Sequence, residues 1–360
     1  MKIAMIGHKR IPGREGGVEV VVEELATRMV QKGHTVVTYN RSRKGLKRLK
    51  SYKDVKIITV PTVERKSTDA VIYSLIASIE SLFGRFDVVH YHAIGPSVFL
   101  IIPRLFGIKT VVTVHGLNYK TPKWKGFAER FIKLGEKITA KYADEIIVLS
   151  EEQRKYFKKK YNREVTFIPN GTQLKPLEEP KLIREKYGLQ KNDYILFLSR
   201  IVPGKGLEYL LDAYRKVDGD LPLVIAGNSE FVDEFYNCII EKAKLDSRVK
   251  LIGFVKDKIL SELYSNARLF IFPSEAEGMP ICLLEALSYN CPCLVSNIPE
   301  NMEVGKSYVK SFRSKDTHDL YQMICRCLHN PVLFNQNSRK YIEDNYSWDS
   351  IVEKTIEKYK

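Results

Sequence analysis

The feature that most constrains the fold of this chain is an alternation of short apolar runs with longer amphipathic stretches. The apolar runs are rich in β-branched residues and lack the polar alternation of a half-exposed strand. Short, fully apolar strands separated by helices are typical of a parallel sheet that is covered on both faces. The predicted strands are Lys2–Ile6, His34–Tyr39, Phe86–His90, Thr110–Val114, Glu145–Leu149, Val165–Ile168, Tyr194–Leu198, Leu223–Ala226, Val249–Gly253, Leu269–Phe272 and Cys293–Ser296. Helices are predicted at Val18–Gln31 and near 205–217, 230–244, 257–265 and 280–289.

The alternation restarts after a break, which indicates two domains. The turn Pro169-Asn170-Gly171 ends the first series, and the segment LKPLEEPKL (174–182) has the prolines, mixed charge and lack of periodicity of a linker. At 360 residues the chain also exceeds what one hydrophobic core usually serves. We predict two doubly wound α/β domains that join near residue 175. Such sheets bind ligands at the carboxyl ends of their strands, so a cleft between the domains is the expected site.

The net charge of +15 is confined to one half of the chain. Residues 1–180 contain 33 Lys and Arg against 18 Asp and Glu, whereas residues 181–360 contain 25 of each. This asymmetry suggests an anionic partner for the first half, and nucleic acid, an acidic membrane surface and a phosphorylated substrate are all candidates. A proteome that is basic throughout would give the same excess without a partner.

Cysteine usage and hydropathy predict a cytosolic protein. The six cysteines all follow residue 237 and show neither CxxC nor zinc-finger spacing. The first residues, MKIAMIGHKRIPG, are predicted to form a buried strand and a turn, since a signal peptide needs a longer apolar core. No stretch reaches the roughly 18 apolar residues of a membrane span. We therefore expect a reduced protein without a structural metal.

Two glycine-containing loops follow predicted strands. In GHKRIPGREGGVEV, Gly16 and Gly17 allow close approach of a ligand, and the helix N-terminus behind them favours an anion. The alternative is a turn that binds nothing. In SRIVPGKGLEYLLDAY, Arg200 and Lys205 place two cations at a strand end beside a helix start, which suits a diphosphate. Solvated surface charge is the alternative for either residue.

The segment PSEAEGMPICLLEAL contains carboxylates within an apolar helix pattern. Glu277 precedes the predicted helix and Glu285 lies further along it, so their side-chain directions differ by about 80°. Carboxylates accept hydrogen bonds from sugar hydroxyls, and N–H groups at the helix start beyond Gly278 are donors to the same place. We expect both glutamates to address one ligand. The alternative has Glu277 capping the helix and Glu285 paired with an arginine.

The run EGMPICLLEAL resembles the E-x7-E signature of retaining GT-B glycosyltransferases of family 4. Other stretches resemble further landmarks of that family in the same order: VTVHG (112–116), FIPNG (167–171), SRIVPGKGLEYLLDAY (199–214), AGNSE (226–230) and GFV (253–255). The resemblance extends over essentially the whole chain. The N-terminal stretch GHKRIPGREGGVEVVVEEL, with HYHAIGP (90–96), resembles a subgroup of capsule and cell-wall rhamnosyltransferases.

The resemblance implies a GT-B fold, in which two Rossmann-like domains face each other across a cleft. Residues 1–172 would bind the acceptor, residues 173–340 would bind a nucleotide-sugar, and a helix within 341–360 would pack back on the first domain. The implied reaction moves a hexose or deoxyhexose, rhamnose among them, from a nucleoside diphosphate to a hydroxyl with retention of configuration. It requires no protein nucleophile, metal or cofactor.

The resemblance also implies roles for individual residues. Arg200 and Lys205 would hold the diphosphate and stabilise the charge on the leaving group. Glu285 would accept hydrogen bonds from the ribose, and Glu277 would contact the donor sugar. His115 would face that sugar from the first domain. The remaining donor-binding positions would be Gly16, Gly17, Gly227, Gly278 and Met279.

The chain departs from the family pattern at two places. The family often has E-G-F-G where this chain has E-G-M-P, and the stretch SNIPENMEV lacks a glycine pair that many members carry there. A motif of a different glycosyltransferase fold is also present, since Asp218-Gly219-Asp220 matches a D-x-D metal site. It lies between a helix and a strand with glycine at its centre, where a turn is expected, so we assign no metal to it.

The acceptor side is predicted from basic and aromatic residues. Six of the ten residues in RSRKGLKRLK (41–50) are basic, and the segment 119–142 mixes lysine with Trp and Phe at near-helical spacing. Both patterns are typical of elements at an anionic membrane surface, which fits a lipid-linked saccharide acceptor at the cytoplasmic leaflet. A solvated basic face is the alternative. His8 and His92 are candidate acceptor contacts, whereas His90, at a strand end, is expected in the core.

Two other functions are compatible with the sequence. A soluble transferase that acts on a small sugar or sugar phosphate would need no membrane affinity. A basic nucleic-acid-binding protein would explain the charge, although the sequence contains no helix-turn-helix, zinc module or aromatic RNA-binding motif. The interpretation that we carry forward is a cytoplasmic transferase, peripheral on the inner face of the membrane, that binds a nucleotide-sugar and no nucleic acid.

Overall fold

The structure is a computed structural model that describes residues 1–13, 16–63, 68–116, 126–229, 234–330, 334 and 337–360. These residues form two compact α/β units. The first consists of Met1–Gly171 together with Trp348–Lys360, and the second consists of Thr172–Ser347. Among the described helices, none is both long and apolar enough to cross a membrane.

The first unit is built on an eight-stranded sheet in the order β3-β4-β2-β1-β5-β6-β7-β8. Neighbouring strands are parallel except β3 and β4. The strands are β1 (Lys2–Ile6), β2 (Thr35–Arg41), β3 (Ser51–Tyr52), β4 (Val55–Val60), β5 (Val88–His92), β6 (Lys109–Val114), β7 (Glu145–Val148) and β8 (Thr166–Phe167). The α-helices are α1 (Gly17–Gln31), α2 (Asp69–Glu80), α3 (Ile101–Leu105), α4 (Phe127–Tyr142) and α5 (Glu151–Tyr161).

Helices cover both faces of this sheet, as the apolar strands require. On one face, Tyr73 of α2, Ile132 of α4 and Phe157 of α5 pack into a core with alternate strand residues such as Val89 and Tyr91. Because side chains alternate along a strand, His90 and His92 of β5 point to the opposite face. That alternation places the candidate histidines on the other side of the sheet from this core.

The second unit contains a six-stranded parallel sheet in the order β11-β10-β9-β12-β13-β14. The strands are β9 (Ile195–Leu198), β10 (Leu223–Ala226), β11 (Val249–Gly253), β12 (Leu269–Phe272), β13 (Cys293–Ser296) and β14 (Val309–Phe312). The α-helices are α6 (Leu182–Tyr187), α7 (Leu207–Tyr214), α8 (Glu234–Lys244), α9 (Asp257–Asn266), α10 (Ile281–Ser288), α11 (Pro299–Gly305), α12 (Thr317–His329) and α13 (Ser338–Asn345). The two sheets show that the predicted α/β class, with two Rossmann-like domains, is correct.

A last helix, α14 (Trp348–Glu357), belongs to the first unit although it follows the second in the chain. It packs against α1, and Trp348 is 3% exposed. Arg28 of α1 also pairs with Asp349 at 2.6 Å. α14 lies within the range 341–360 that was predicted to hold such a helix, and the preceding helix α13 packs against α10 of the second unit.

Most predicted strands lie within two residues of the observed ones, and the differences have simple causes. β5 extends to His92 because the polar HYH end of that strand still pairs with β6. β4 and β14 were not predicted, since both mix polar residues into their apolar runs, as in VKSF of β14. The predicted helix near 230–244 begins in residues that lie outside the described ones, and α8 accounts for the rest.

Candidate functional site

In the second unit, three loops of interest meet at one edge of the sheet. Strand β9 lies between β10 and β12, and all three are parallel. Their carboxyl ends therefore bring together Arg200 after β9, Gly227 after β10 and Glu277 after β12. β9 is also the first strand of this sheet, with later strands on both sides, which makes this edge the point where the strand order reverses.

The loop that carries Lys205 lies directly on the loop that follows β12. The carbonyl oxygen of Gly204 accepts hydrogen bonds from the Glu275 N–H at 2.9 Å and from the Ser274 hydroxyl at 3.3 Å. Gly206 has a φ of +70°, and a Cβ there would overlap the carbonyl oxygen of Pro273. Only glycine permits this close backbone contact. The two loops therefore form one supported surface.

That surface holds an ion pair between Lys205 and Glu277. The Lys205 ammonium contacts Oε1 of Glu277, and the two side chains are 17% and 11% exposed. The Ser274 hydroxyl donates to the same oxygen at 2.5 Å. The Lys205 ammonium also lies 5.6 Å from the centre of the Phe272 ring. The structure thus brings together Lys205 and Glu277, two of the predicted site residues, whereas the Arg200 side chain is exposed to solvent.

The expected alternative for Glu277, a helix cap, is not what the structure shows. Helix α10 begins at Ile281 behind Pro280 and has no side-chain cap. Pro280 is the residue directly before the helix, and the Glu277 side chain contacts Lys205 instead of the helix N-terminus. Met279 is buried and Gly278 is partly exposed in the turn between them.

Glu285 is only half-buried, although the residues around it in α10 are buried. Tyr264 of α9 donates to Oε2 of Glu285 at 3.3 Å, and its hydroxyl lies equally far from the carbonyl oxygen of Cys282. Burial raises the pKa of the Cys282 thiol to about 12, and the charges of Glu285 and Glu277 act on that pKa in the same direction. Lys205 lowers it. All three charges therefore converge on the neighbourhood of Cys282.

Gly227 occupies the end of β10 in a conformation that other residues rarely adopt. Its φ is +150°, and a Cβ would overlap the carbonyl oxygen of Ser199. Its N–H donates to the Gly253 carbonyl oxygen at 2.8 Å. The residue is partly exposed at the same edge as Lys205. Glycine is required here by the close approach of two strand ends.

In the first unit, four histidines lie on or beside the carboxyl ends of β1, β5 and β6. Nδ1 of His92 and Nε2 of His115 are 3.1 Å apart, and the ring centres of His90 and His92 are 4.1 Å apart. Burial lowers the pKa of His8 and His90 to about 3 and that of His115 to about 4. The pKa of His92 is lowered well below its usual value, also chiefly by burial. The four side chains are therefore neutral at neutral pH.

Only His115 among these four reaches the surface. His8, His90 and His92 are 0% exposed, whereas His115 is partly exposed. His8 and His92 were expected to contact an acceptor, but their full burial means that they support the surface from beneath. His90 lies in the interior, as expected, with Tyr359 and Thr113 as hydrogen-bond partners.

The glycine loop of the first unit is held by helix α1. Oε1 of Glu19 accepts from the Lys9 N–H at 3.0 Å, and Oε2 of Glu23 accepts from the Gly13 N–H at 3.3 Å. Gly17 begins α1, and Gly16 precedes it in an extended conformation. Residues 14–15 of the same loop lie outside the described ones. The structure thus places Gly16 and Gly17 at a helix start, as predicted.

Two family descriptions match this chain, one for each half. Residues 15–175 match Glycosyltransferase Family 4, and residues 180–348 match Glycosyl transferases group 1. The two matches meet within a few residues of the boundary between the units at 171/172. The chain belongs to the family 4 and group 1 glycosyltransferases.

The transferase is similar to characterised proteins over most of its length. It is 27% identical over 332 residues to UDP-Gal:alpha-D-GlcNAc-diphosphoundecaprenol alpha-1,3-galactosyltransferase of Escherichia coli, covering 85% of this chain and 84% of that one. Among solved structures, sucrose-phosphate synthase of Thermosynechococcus elongatus has a TM-score of 0.86 at 19% identity, covering 99% and 98% of the two chains. Anabaena HepE in complex with UDP and glucose has a TM-score of 0.83 at 16% identity, with the same coverage. The fold is therefore GT-B.

Several residues of the candidate site were not predicted from the sequence. Ser274 and Tyr264, which hold Glu277 and Glu285, come from separate segments and carry no motif of their own. Glu19 and Glu23 could have been identified from the sequence, because two carboxylates one helical turn apart in an apolar helix need hydrogen-bond partners. The DGD sequence forms a turn, with Gly219 at φ +94°. Within the described ranges, no group of three or more His, Cys, Asp or Glu side chains is arranged to hold a metal ion.

Proposed function

We propose that this glycosyltransferase moves a hexosyl or deoxyhexosyl group from a nucleoside diphosphate to a hydroxyl of a lipid-linked saccharide. The Lys205–Glu277 pair carries the proposal, because it lies at the strand ends and combines a cation, which suits a diphosphate, with a carboxylate, which can accept hydrogen bonds from sugar hydroxyls. The galactosyltransferase relative uses UDP-Gal and a diphosphoundecaprenol-linked acceptor, and HepE binds UDP. UDP is therefore the first nucleotide to test, and rhamnose is one of the deoxyhexoses within this proposal.

We assign the diphosphate to Lys205 and Arg200, which would stabilise negative charge as the sugar leaves. Glu285 would accept from the ribose hydroxyls. Glu277, with the N–H groups of Gly278 and Met279, would contact the sugar. Gly227 would allow the backbone to approach the nucleotide. His115 would donate a hydrogen bond to the transferred sugar. Gly16 and Gly17 would allow a ligand to approach the backbone closely.

The proposed transfer retains the configuration at the anomeric carbon. The acceptor oxygen would bond to that carbon on the face from which the diphosphate leaves. The proton of the acceptor hydroxyl would pass to the departing phosphate oxygen, so no protein nucleophile is needed. Lys205 and Arg200 would neutralise the diphosphate, and we propose that transfer requires no metal. A product with the same anomeric configuration as the donor, formed equally well with EDTA, would support both statements.

The donor site can be tested without knowing the sugar. We would titrate the protein with UDP, dTDP and GDP by calorimetry, at low and moderate salt. Glu285→Ala should weaken the binding of the preferred nucleotide. The matched control is Glu241→Ala, because Glu241 is exposed in the same unit and pairs with Lys244. No binding of any nucleotide, or equal binding by both variants and the wild type, would contradict the assignment.

The lipid-linked acceptor is supported by the outer face of α4. Arg130, Lys133, Lys137 and Lys141 are exposed at spacings of three or four residues, so they form one stripe. Phe127 and Leu134 are exposed beside them by 69% and 48%. Cations with interspersed apolar side chains are typical of helices at an anionic membrane surface. Residues 119–125 of the predicted segment lie outside the described ones.

Only some of the basic residues in segment 41–50 are available for the proposed membrane surface. Arg41 and Arg43 both pair with Asp69, at 3.0 and 3.3 Å, so they hold the fold together. The other four cations, Lys44, Lys47, Arg48 and Lys50, are exposed. We propose that these and the α4 stripe bind the inner face of the cytoplasmic membrane. If the acceptor is instead a small, soluble sugar or sugar phosphate, the rate of transfer should not depend on added lipid vesicles.

A further inference from the structure

Tyr359, which follows α14, reaches the histidines of the first unit. Its side chain is 3% exposed, and its hydroxyl lies 2.7 Å from Nδ1 of His90. Nε2 of His90 lies 2.7 Å from the Thr113 hydroxyl. The His90 ring is therefore held at both nitrogens by hydroxyl groups, each of which can donate or accept. Tyr359 lies outside both family matches, and the proposed roles involve neither Tyr359 nor His90.

The orientation of His90 is passed to His115 through His92. The rings of His90 and His92 are 4.1 Å apart with an angle of 35° between their planes, so rotation of one displaces the other. Nδ1 of His92 in turn lies 3.1 Å from Nε2 of His115. Tyr359, His90, His92 and His115 therefore form a continuous series of contacts, which we call the histidine series.

The series also specifies which nitrogen of His115 carries the proton. Nε2 of His92 is buried and has no hydrogen-bond partner among the described residues. A buried N–H without an acceptor is rarer than an unpaired acceptor, so the proton of His92 belongs on Nδ1. His92 then donates to Nε2 of His115, and His115 carries its own proton on Nδ1. His115 consequently offers an N–H donor from Nδ1.

We propose that Tyr359 is a positioning residue that fixes the orientation and tautomer of His115 through His90 and His92. This inference rests on the proposed function only for its kinetic consequence. The hydroxyl of Tyr359 restrains His90, the restrained His90 ring packs on His92, and His92 donates to Nε2 of His115, which leaves the His115 proton on Nδ1. A segment that follows the second unit in the chain thus helps to prepare a side chain of the first.

The test is Tyr359→Phe, which removes only the hydroxyl. Tyr91→Phe is the matched control. Tyr91 is the residue between His90 and His92 in the sequence, and like Tyr359 it is buried. Its hydroxyl forms a 2.7 Å hydrogen bond with the Ser78 hydroxyl on the opposite face of the sheet. Histidine labelled with 15N in the full chain reports the proton position on each ring. We expect Tyr359→Phe to shift the His90, His92 and His115 signals, and Tyr91→Phe to leave the His115 tautomer unchanged. Unchanged histidine signals in Tyr359→Phe would overturn the proposal.

Transfer kinetics give a second, independent reading. Tyr359→Phe should lower kcat about tenfold, because small misplacements of a substrate-positioning group are costly, while the donor KM stays within about twofold. Thr113→Ser keeps a hydroxyl near His90 and should retain more activity than Thr113→Val. Equal kcat in Tyr359→Phe and Tyr91→Phe would overturn the positioning role. The labelling experiment needs no donor, so it still tests the coupling if the wild type transfers no sugar.

Discussion

Lys205 and the Ser274 hydroxyl both contact one carboxylate oxygen, Oε1 of Glu277, at the carboxyl edge of the second sheet. The pair is largely shielded, with side-chain exposures of 17% and 11%. A lysine held in this way cannot swing freely, so little rotamer entropy remains to be lost when an anion arrives. The arrangement would present an already ordered ammonium group to the proposed nucleotide.

Lys205→Ala should therefore affect transfer more than binding. Removing one group that stabilises developing negative charge costs about 100-fold in kcat or more, whereas we expect the Kd for UDP to change by less than about tenfold. Initial rates and calorimetry on the same preparations would separate the two effects. Lys242→Ala is the control, because Lys242 pairs with Asp212 at 2.6 Å elsewhere in this unit. A kcat that stays at the wild-type value would exclude Lys205 from the charge-stabilising role.

Glu285→Ala should weaken nucleotide binding by about tenfold or more, since hydrogen bonds to a charged group contribute about 1.5–3 kcal/mol. Tyr264→Phe removes the hydroxyl that lies 3.3 Å from Glu285 and should weaken binding less, because the carboxylate stays. Calorimetric Kd values rank the three proteins. A larger loss in Tyr264→Phe than in Glu285→Ala would mean that the tyrosine, and not the carboxylate, meets the nucleotide.

Acidification should destabilise the first unit through its buried histidines. Burial lowers the folded-state pKa of His8 and His90 to about 3 and that of His115 to about 4, below the unfolded value of 6.5. The unfolded state therefore binds more protons below pH 6.5, so this contribution to stability is complete above 6.5 and is lost as the pH falls toward 3. For each such histidine, the free energy of unfolding falls by about 2 kcal/mol as the pH is lowered from 6.5 to 5.

Urea midpoints at several pH values between 7.5 and 5 would measure this loss. His90→Gln should reduce the slope of stability against pH by about one histidine's share. A wild-type midpoint that is constant from pH 7.5 to 5 would show that the histidines take up protons without unfolding.

Gly227→Ala should destabilise the second unit strongly. The new Cβ would overlap the Ser199 carbonyl oxygen, in addition to the cost of about 1–2 kcal/mol for an unfavourable backbone conformation. Gly219→Ala separates the two contributions, because Gly219 also has a positive φ but a Cβ added there would meet no described atom within 4 Å. Thermal melts of both variants would give the difference. Equal melting temperatures would mean that the strand ends move apart at little cost.

Reversal of charge on α4 should reduce membrane binding. Arg130→Glu combined with Lys137→Glu removes two cations from the stripe, each worth about 1 kcal/mol near an anionic surface. Sedimentation with vesicles of phosphatidylglycerol and phosphatidylcholine, at two salt concentrations, measures the effect. Lys186→Glu with Lys216→Glu makes the same charge change on exposed residues of the second unit. An equal loss in both double variants would point to net charge alone.

Most strands of the two sheets were predictable because they are short apolar runs, and most of these are buried. Four of the five strands predicted in the second half, from Leu223–Ala226 to Cys293–Ser296, coincide with the observed bounds. Burial on both faces leaves little doubt about where such a strand begins and ends. β14 was missed because an edge strand tolerates polar residues, and VKSF carries two of them.

The partners of the site residues were not predictable in the same way. Lys205 and Glu277 were both singled out, but their contact joins residues 72 positions apart and depends on which strands are neighbours. The contact of His90 with Tyr359 spans 269 positions. Periodicity shows which side a residue faces, and it carries no information about which distant side chain lies there.

The position of α14 has a consequence for the order in which the protein is made. The sheet and helices of Met1–Gly171 are synthesised before the second unit, yet the face of α1 that packs against α14 has no such cover until Trp348–Lys360 has been synthesised. Domains fold largely in the order of their synthesis. The first unit must therefore wait, incomplete, while the whole second unit is translated, and His90 gains its tyrosine partner only after that.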